Sequence, residues 1–215
     1  MYHCPLCQST DTRHYHSDKR RDYFQCFDCQ LVFVDPKQRL APAEEKAEYD
    51  LHENDASDIG YRKFLSRLVN PLANKLVANS HGLDFGCGPG PTLSLMLSDL
   101  GHTTALYDVY FYPDKGSLHN QYDYVTATEV IEHLYHPGAV WQQWLGLLKM
   151  GGWLGLMTKL VKDVEAFSKW HYKNDLTHVV FFSRETFEFL AKRDKLHLEF
   201  IGNDVILLRK TSNES

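Results

Sequence analysis

The sequence predicts an α/β domain on a mostly parallel sheet that closes with an antiparallel hairpin, preceded by a small metal-stabilised module. Three features carry this. Leu83-Asp84-Phe85 runs into the glycine-rich turn Gly86-Cys87-Gly88-Pro89-Gly90 and then a helix. Near the C-terminus, the apolar runs Leu196 to Ile201 and Val205 to Arg209 are joined by Gly202-Asn203, a hairpin signal. Two Cys-x-x-Cys pairs stand within the first thirty residues. The 215 residues suit one full domain plus a small appendage, and 43% hydrophobic against 24% charged residues fits a compact core. A net charge of −5 supplies no chain-wide positive field, which weighs against nucleic acid as a partner. No apolar run approaches the roughly 18 residues of a membrane span, and Met1-Tyr-His-Cys-Pro has no signal-peptide character. A cytoplasmic, reducing setting without membrane association is therefore expected, where the five cysteines serve as metal ligands or free thiols.

Cys4-x-x-Cys7 and Cys26-x-x-Cys29, with eighteen residues between the pairs, have the spacing of a four-thiolate structural zinc site. Each pair places two sulfurs at a tight turn, and the intervening chain can return the second pair to complete a tetrahedron. Tyr23 to Gln25 and Leu31 to Val34 read as flanking strands of a zinc ribbon over residues 1–39. Such a module has little core of its own, so metal binding supplies most of its folding free energy. Gln8 and Gln30 stand where ribbons often carry glycine. Two disulfides and a rubredoxin-like iron site are the competing readings.

Residues 40–79 read as a helical linker or lid, with helices over Glu44 to Leu51 and Gly60 to Ala78. Tyr61, Phe64, Leu65, Leu68, Leu72 and Leu76 form one apolar stripe, which Asn70-Pro71 is expected to divide into two short helices. Tyr49, His52, Asn54 and Tyr61 are the polar and aromatic residues here that could face a cleft.

The glycine turn is a ligand-binding turn, because glycine lets backbone approach a ligand and the following helix, Thr92 to Leu100, presents unsatisfied amides. A dinucleotide fingerprint would need glycine at Pro91. A second strand, Thr103 to Tyr107, ends at Asp108, where a carboxylate can accept from both hydroxyls of a ribose. NAD-binding folds use the same device.

Asp84 followed by Gly-x-Gly-x-Gly resembles motif I of the class I S-adenosylmethionine (SAM)-dependent methyltransferases. Tyr122 to His133 resembles that family's fourth strand and acidic exit, and Leu148-Lys-Met-Gly-Gly152 resembles the turn into its fifth. The resemblance covers about residues 80 to 210 and implies a Rossmann-like, seven-stranded, mostly parallel sheet with a C-terminal antiparallel hairpin, in a methyltransferase domain over 80–215. It also implies SAM as cofactor. The turn Gly86, Cys87, Gly88, Pro89 and Gly90 would pack the methionine part, Asp84 would help bind its amino group, and Val109 would pack on adenine. Thr128 and Glu129 would lie beside the methionine moiety and His133 near the entrance of the reaction cavity. One departure stands out: the usual helix and third strand between Asp108 and Tyr122 are replaced by the short segment Tyr110 to Asp114.

Phe167 to Ser183 follows the fifth strand, on the side of an open parallel sheet where ligand sites gather, and resembles the family's Asp-x-x-His signature. Trp170, His171, Tyr172 and Asp175 are its lid candidates. Asp175 and His178 alone are too few for a metal site, and tethering the loop is their competing role. Methyl transfer from a sulfonium chiefly requires alignment of donor and acceptor. His133, His178 and His52 are the candidates to take a proton from the acceptor. Tyr49, Tyr61, Trp170 and Tyr172 could wall the cavity.

The leading expectation is a SAM-dependent methyltransferase acting on a small-molecule or carbohydrate-like acceptor. A second reading directs methylation to RNA or protein with the ribbon as recognition module; Arg13, Lys19, Arg20 and Arg21 supply its small basic surface. A non-catalytic SAM-binding scaffold and an NAD-dependent oxidoreductase are the remaining readings, the last disfavoured by Pro91 and the terminal hairpin.

Overall fold

The computed structural model describes residues 2–50 and 55–211. Near the N-terminus both cysteine pairs sit at tight turns closed in the same way. The Gln8 N–H donates to the Cys4 carbonyl at 3.0 Å and the Gln30 N–H to the Cys26 carbonyl at 2.9 Å. Gln8 and Gln30 adopt left-handed φ values of 65° and 60°. The turn is made without glycine at a backbone cost of about 1 kcal/mol each. The four sulfurs lie within 4.8 Å of one another. Cys4 and Cys29, and Cys7 and Cys26, have Sγ atoms 3.5 Å apart. That is far beyond the ~2.05 Å of a disulfide. It is close to the about 3.8 Å edge of a tetrahedron with ~2.3 Å metal–sulfur bonds.

Three strands follow these turns: β1 (Thr12–Ser17), which the sequence reading lacked, β2 (Asp22–Cys26) and β3 (Val32–Val34). Two helices come next. In α1 (Pro42–Tyr49) the Glu44 carboxylate accepts from the Ala41 N–H at the helix start. In α2 (Ile59–Ala73) the Asp58 carboxylate accepts from the Gly60 and Tyr61 N–H groups, satisfying two amides without helical partners. The expected break at Asn70-Pro71 does not occur. Pro71 lies in the last turn of one continuous helix, where one bond is lost, while Leu65, Leu68, Val69 and Leu72 bury a common face.

The main sheet is built from β4 (His81–Phe85), β5 (Thr103–Tyr107), β6 (Tyr122–Thr128) and β7 (Leu148–Met157), with α3 (Thr92–Ser98) between the first two and α4 (Pro137–Leu147) before the last. After α5 (Val164–Ser168) and the two-residue β8 (Val180–Phe181), α6 (Arg184–Asp194) leads into the hairpin β9 (Leu196–Ile201) and β10 (Val205–Lys210). Strand order is β5-β4-β6-β7-β10-β9. The first three pairings are parallel and the last two antiparallel. Among the described residues this sheet has six strands, not the expected seven. After β5 the chain turns back at once, with Asp108 and Tyr112 forming a bridge, and a 3-10 turn at Lys115–His119 leads into β6. That stretch is too short for a helical crossover and a further parallel strand.

Alternate residues feed opposite faces. Trp153, Met157, Val205 and Leu207 pack with Leu68, Leu72 and Leu93 under α2 and α3. Leu154, Leu156, Ile206 and Leu208 pack with Trp141, Trp144, Phe187 and Leu190 under α4 and α6. Gly155 makes room for α2, since a Cβ there would stand 3.0 Å from Leu68 Cδ1.

The ribbon belongs to the second of these cores. Cys4, Leu6, Cys26, Cys29, Leu31 and Phe33 join the cluster of Trp141, Trp144 and Phe187. Its sheet runs β1-β2-β3-β8, so β8 from beyond residue 39 completes it, with Val32 opposite Phe181 and Phe33 opposite Val180. Gly138 at the start of α4 is pressed against the first cysteine turn, its N–H donating to the Pro5 carbonyl at 3.3 Å. A Cβ there would collide with the Leu6 carbonyl oxygen. Among the described residues no helix is long and apolar enough to cross a membrane. Because Leu6 backbone cannot yield like a flexible side chain, Gly138→Val is expected to lower stability by about 1–3 kcal/mol. Thermal unfolding should show it, and limited proteolysis should cut the ribbon of this variant first.

Candidate active site

At the C-terminal ends of β4, β5 and β6 lies a cavity of about 780 Å³. The strand order reverses there: β4 sends the chain to β5 on one side, and β6 lies on the other, leaving a crevice between diverging loops. Its floor is the turn Gly86 to Pro89, one wall is Tyr107 to Phe111, and the other runs from Thr128 to Tyr135. Glu45 and Tyr49 of α1 and Tyr61 and Phe64 of α2 close it from above, and Asp175 and His178 from the side.

Gly86 and Gly88 carry φ values of 73° and 65°. These suit glycine, and a Cβ on Gly86 would also stand 2.5 Å from Val130 Cγ2. Asp108 is held as a fixed acceptor: its Oδ1 takes the Tyr110 and Phe111 N–H groups at 2.8 and 3.1 Å, and Oδ2 takes the Gly88 N–H at 3.1 Å. The turn and the strand-end acid are thus one hydrogen-bonded unit. Asp84 is buried behind the turn and does not line the cavity. It accepts from Thr126 Oγ1 at 2.9 Å, and burial pushes its carboxyl up to about 7.

The opposite end of the cavity holds a denser set of ionisable groups. Glu129 follows β6 with a left-handed φ of 52°, a strained conformation for a residue with a side chain, fixed by its N–H donating to the Met157 carbonyl at 2.9 Å. Beneath it Glu132 is fully buried. The Tyr172 hydroxyl donates to Glu132 Oε1 and, at 3.2 Å, reaches Glu129 Oε2. Burial, with the Glu129 charge adding to it, pushes Glu132 up to about 8; burial also raises Glu129. The rings of His133 and His178 meet edge to face with centroids 4.6 Å apart. His133 Nδ1 lies 3.2 Å from the Thr177 carbonyl and His178 Nδ1 2.7 Å from the Tyr172 carbonyl. Burial depresses the His178 pKa, favouring the neutral ring.

The loop carrying Asp175 and His178 is held from below by the ribbon. Arg21, 3% exposed, donates from its guanidinium to the carbonyls of Lys173, Asp175, Leu176 and His178. Lys173 in turn pairs with Asp18 at 2.9 Å. Asp175 tethers the same loop by accepting from Thr177 N–H and Oγ1 at 2.9 and 2.6 Å. Arg21 is therefore unavailable to the basic surface suggested by the sequence.

Of the residues singled out in the sequence, Gly86, Cys87, Gly88, Pro89, Asp108, Val109, Thr128, Glu129, Tyr49, Tyr61, His133, Asp175 and His178 line this one cavity. Gly90 lies just outside its lining. Trp170 and Tyr172 pack instead with Phe167 and Phe181 beneath the loop, and His171 is exposed, its Nε2 3.3 Å from Lys159 Nζ. A 3-10 turn at His171–Asn174 turns Tyr172 inward, so these aromatics serve the ribbon-side core and not the cavity wall. His52 and Asn54 fall outside the described residues. The sequence reading missed Glu45, Tyr110, Tyr135 and above all Glu132. Glu132 belongs to the same acidic exit as Glu129, and two acids before His133 were a signal for it.

An open α/β sheet with a glycine turn, a pinned strand-end acid and a terminal hairpin defines a Rossmann-like nucleotide-cofactor domain. The chain matches the Methyltransferase domain family over residues 58–195 and belongs to it. No curated protein matches it in sequence. Among solved structures it is similar to the Burkholderia thailandensis 1,6-didemethyltoxoflavin-N1-methyltransferase bound to its substrate and S-adenosylhomocysteine. Identity there is 15%, TM-score 0.52, and coverage 93% of this chain and 100% of that one. An O-methyltransferase family protein from Burkholderia thailandensis has 14% identity and TM-score 0.53 over 80% of this chain and 64% of its own. The plantazolicin methyltransferase, solved with S-adenosylhomocysteine, has 13% identity and TM-score 0.50 over 83% and 91%. At these identities the likeness is one of fold.

Arg21→Ala strands several buried carbonyls and is expected to cost about 3 kcal/mol or more. Arg21→Lys should recover little of it, because an ammonium cannot reproduce the planar fork. Chemical denaturation of the three proteins compares these costs directly.

Proposed function

We propose that the protein is a SAM-dependent methyltransferase acting on a small-molecule or carbohydrate-like acceptor through a hydroxyl or comparably acidic group. The observation that carries this reading is the coupling of Asp108 to the glycine turn through the Gly88 N–H, in a cavity that also holds the His133–His178 pair. SAM, when bound, supplies a methyl group already activated by its sulfonium. The turn Gly86 to Gly90 packs the methionine part, Thr128 and Glu129 stand beside it, and Asp108 accepts from the ribose hydroxyls. Val109, 63% exposed, is a surface for adenine. Asp84 is assigned to the cofactor's amino end, acting from behind the turn. The anionic end of the cavity suits a cationic donor. His133 and His178 govern the acceptor's proton, with His52 as the third candidate. Tyr49 and Tyr61 offer ring faces to the cation.

A cavity of about 780 Å³ fits a cofactor plus a small acceptor, which favours the small-molecule reading over RNA or protein. Burial of Arg21 removes part of the basic surface that a nucleic-acid partner would need. For the ribbon we propose one structural zinc held by Cys4, Cys7, Cys26 and Cys29. The Sγ hydrogen bond with Cys26 raises Cys4, while the Cys29 and Cys4 sulfurs lower Cys26. Four crowded thiols ionise together only around a cation, which zinc supplies.

Incubation with methyl-labelled SAM and fractionated metabolite extracts should transfer label to a small product; transfer only to protein or RNA fractions would reject the acceptor class. Asp108→Ala is expected to weaken SAM binding by several-fold or more, the about 1.5–3 kcal/mol of hydrogen bonds to a charged group. Calorimetry giving an unaltered affinity would displace Asp108 from the ribose. Elemental analysis should find about one zinc per chain, absent after Cys26→Ser or Cys29→Ser. Because those sulfurs lie in the shared core, the same variants should lower the unfolding temperature of the whole chain and not of the ribbon alone.

A further inference from the structure

We propose that Glu132, His133 and His178 form a second metal centre at the acceptor end of the cavity. The centre would take a divalent cation of the manganese or iron type, to which the acceptor hydroxyl coordinates. This rests on the methyltransferase reading above and specifies how the two histidines act on the acceptor.

Two independent observations lead to it. The first is convergence: one ligating atom from each of these three residues lies within 4.8 Å of the others, although they come from two separate loops. The second is an unpartnered buried oxygen. Glu132 is 0% exposed, Oε1 accepts from Tyr172, and Oε2 has no hydrogen-bond partner. A buried carboxylate oxygen without a donor is costly, and a metal ion at the cavity edge supplies what it lacks.

The surroundings orient the set. Tyr172 holds two ligands at once, its hydroxyl donating to Glu132 and its carbonyl accepting from His178 Nδ1, while the Thr177 carbonyl accepts from His133 Nδ1. Nδ1–H bonds to carbonyls make Nε2 the basic nitrogen of each ring, the tautomer a metal uses. Two imidazoles and one carboxylate suit iron and manganese and are distinct from the four soft thiolates of the ribbon. His133 and His178 both border the cavity, so coordination positions not taken by protein are available to acceptor oxygens. Coordination acidifies the acceptor hydroxyl, whose proton passes to water in the open cleft. Its oxygen then forms the bond to the methyl carbon as the carbon–sulfur bond breaks, and that electron pair stays on sulfur. A vicinal diol, as in a carbohydrate, fits this demand because two oxygens can chelate.

The test is a Mn²⁺ titration of the zinc-loaded 215-residue chain followed by electron paramagnetic resonance. One Mn²⁺ per chain is expected, with affinity falling about tenfold or more in Glu132→Gln and in His178→Asn. Calorimetry with S-adenosylhomocysteine should give little change in these variants, and zinc content should stay at one. Absence of Mn²⁺ uptake by the wild type, or undiminished uptake by both variants, overturns the proposal. Should the variants fail to fold, the wild type alone decides. Substoichiometric Mn²⁺ should broaden the imidazole proton signals of His133 and His178 ahead of the other histidines, and broadening elsewhere overturns the site. Loss of S-adenosylhomocysteine binding by the wild type would instead remove the cofactor reading, and the Mn²⁺ result is read independently of it.

Discussion

The guanidinium of Arg21 is the contact on which the loop side of the cavity depends. It comes from the ribbon, is buried, and binds four carbonyls of the loop that presents Asp175 and His178. A loop of that kind has no ladder to satisfy its backbone, and carbonyls turned away from water need donors. One planar fork meets several of them together. The ribbon is held in turn by its cysteine turns, by Gly138 against Leu6, and by β8 at the edge of its sheet. A distant module, its four cysteines and the cleft loop are thereby one mechanical unit, which explains why a ribbon with almost no core of its own shares the core of α4 and α6.

The cavity is organised by where charge is left unpaid. At one end Asp108 is held in place by three backbone amides and stays a rigid acceptor. At the other, the buried Glu132 and the half-buried Glu129 meet at a single tyrosine hydroxyl, and desolvation raises both. Groups so placed favour a cation as partner. The proposed sulfonium beside Glu129 and the proposed metal ion beside Glu132 would each answer one part of that demand. The left-handed Glu129 is the local strain that this arrangement carries.

Much of this was legible in the chain. The glycine turn, the acid after the second strand and the terminal hairpin are local patterns, each dictated by backbone rules acting over a few residues. So were the cysteine pairs. Less legible was the length of the connection after Asp108, where a short segment was visible but the sheet narrowed to six strands only when the chain turned back at Tyr112. Asn70-Pro71 suggested a break in the helical stripe, yet packing of Leu68, Val69 and Leu72 outweighed one missing hydrogen bond.

The sequence by itself determined the class of domain, the glycine turn and the acid after the second strand, and the four sulfurs, because each is encoded by spacing between near neighbours. Tertiary structure alone decided that Arg21 serves the cleft loop, that Trp170 and Tyr172 face the ribbon-side core, and that Glu132 and His133 meet His178 from a separate loop. Those juxtapositions join residues far apart along the chain, and no local periodicity records which buried faces will meet when the sheet and the ribbon close on one another.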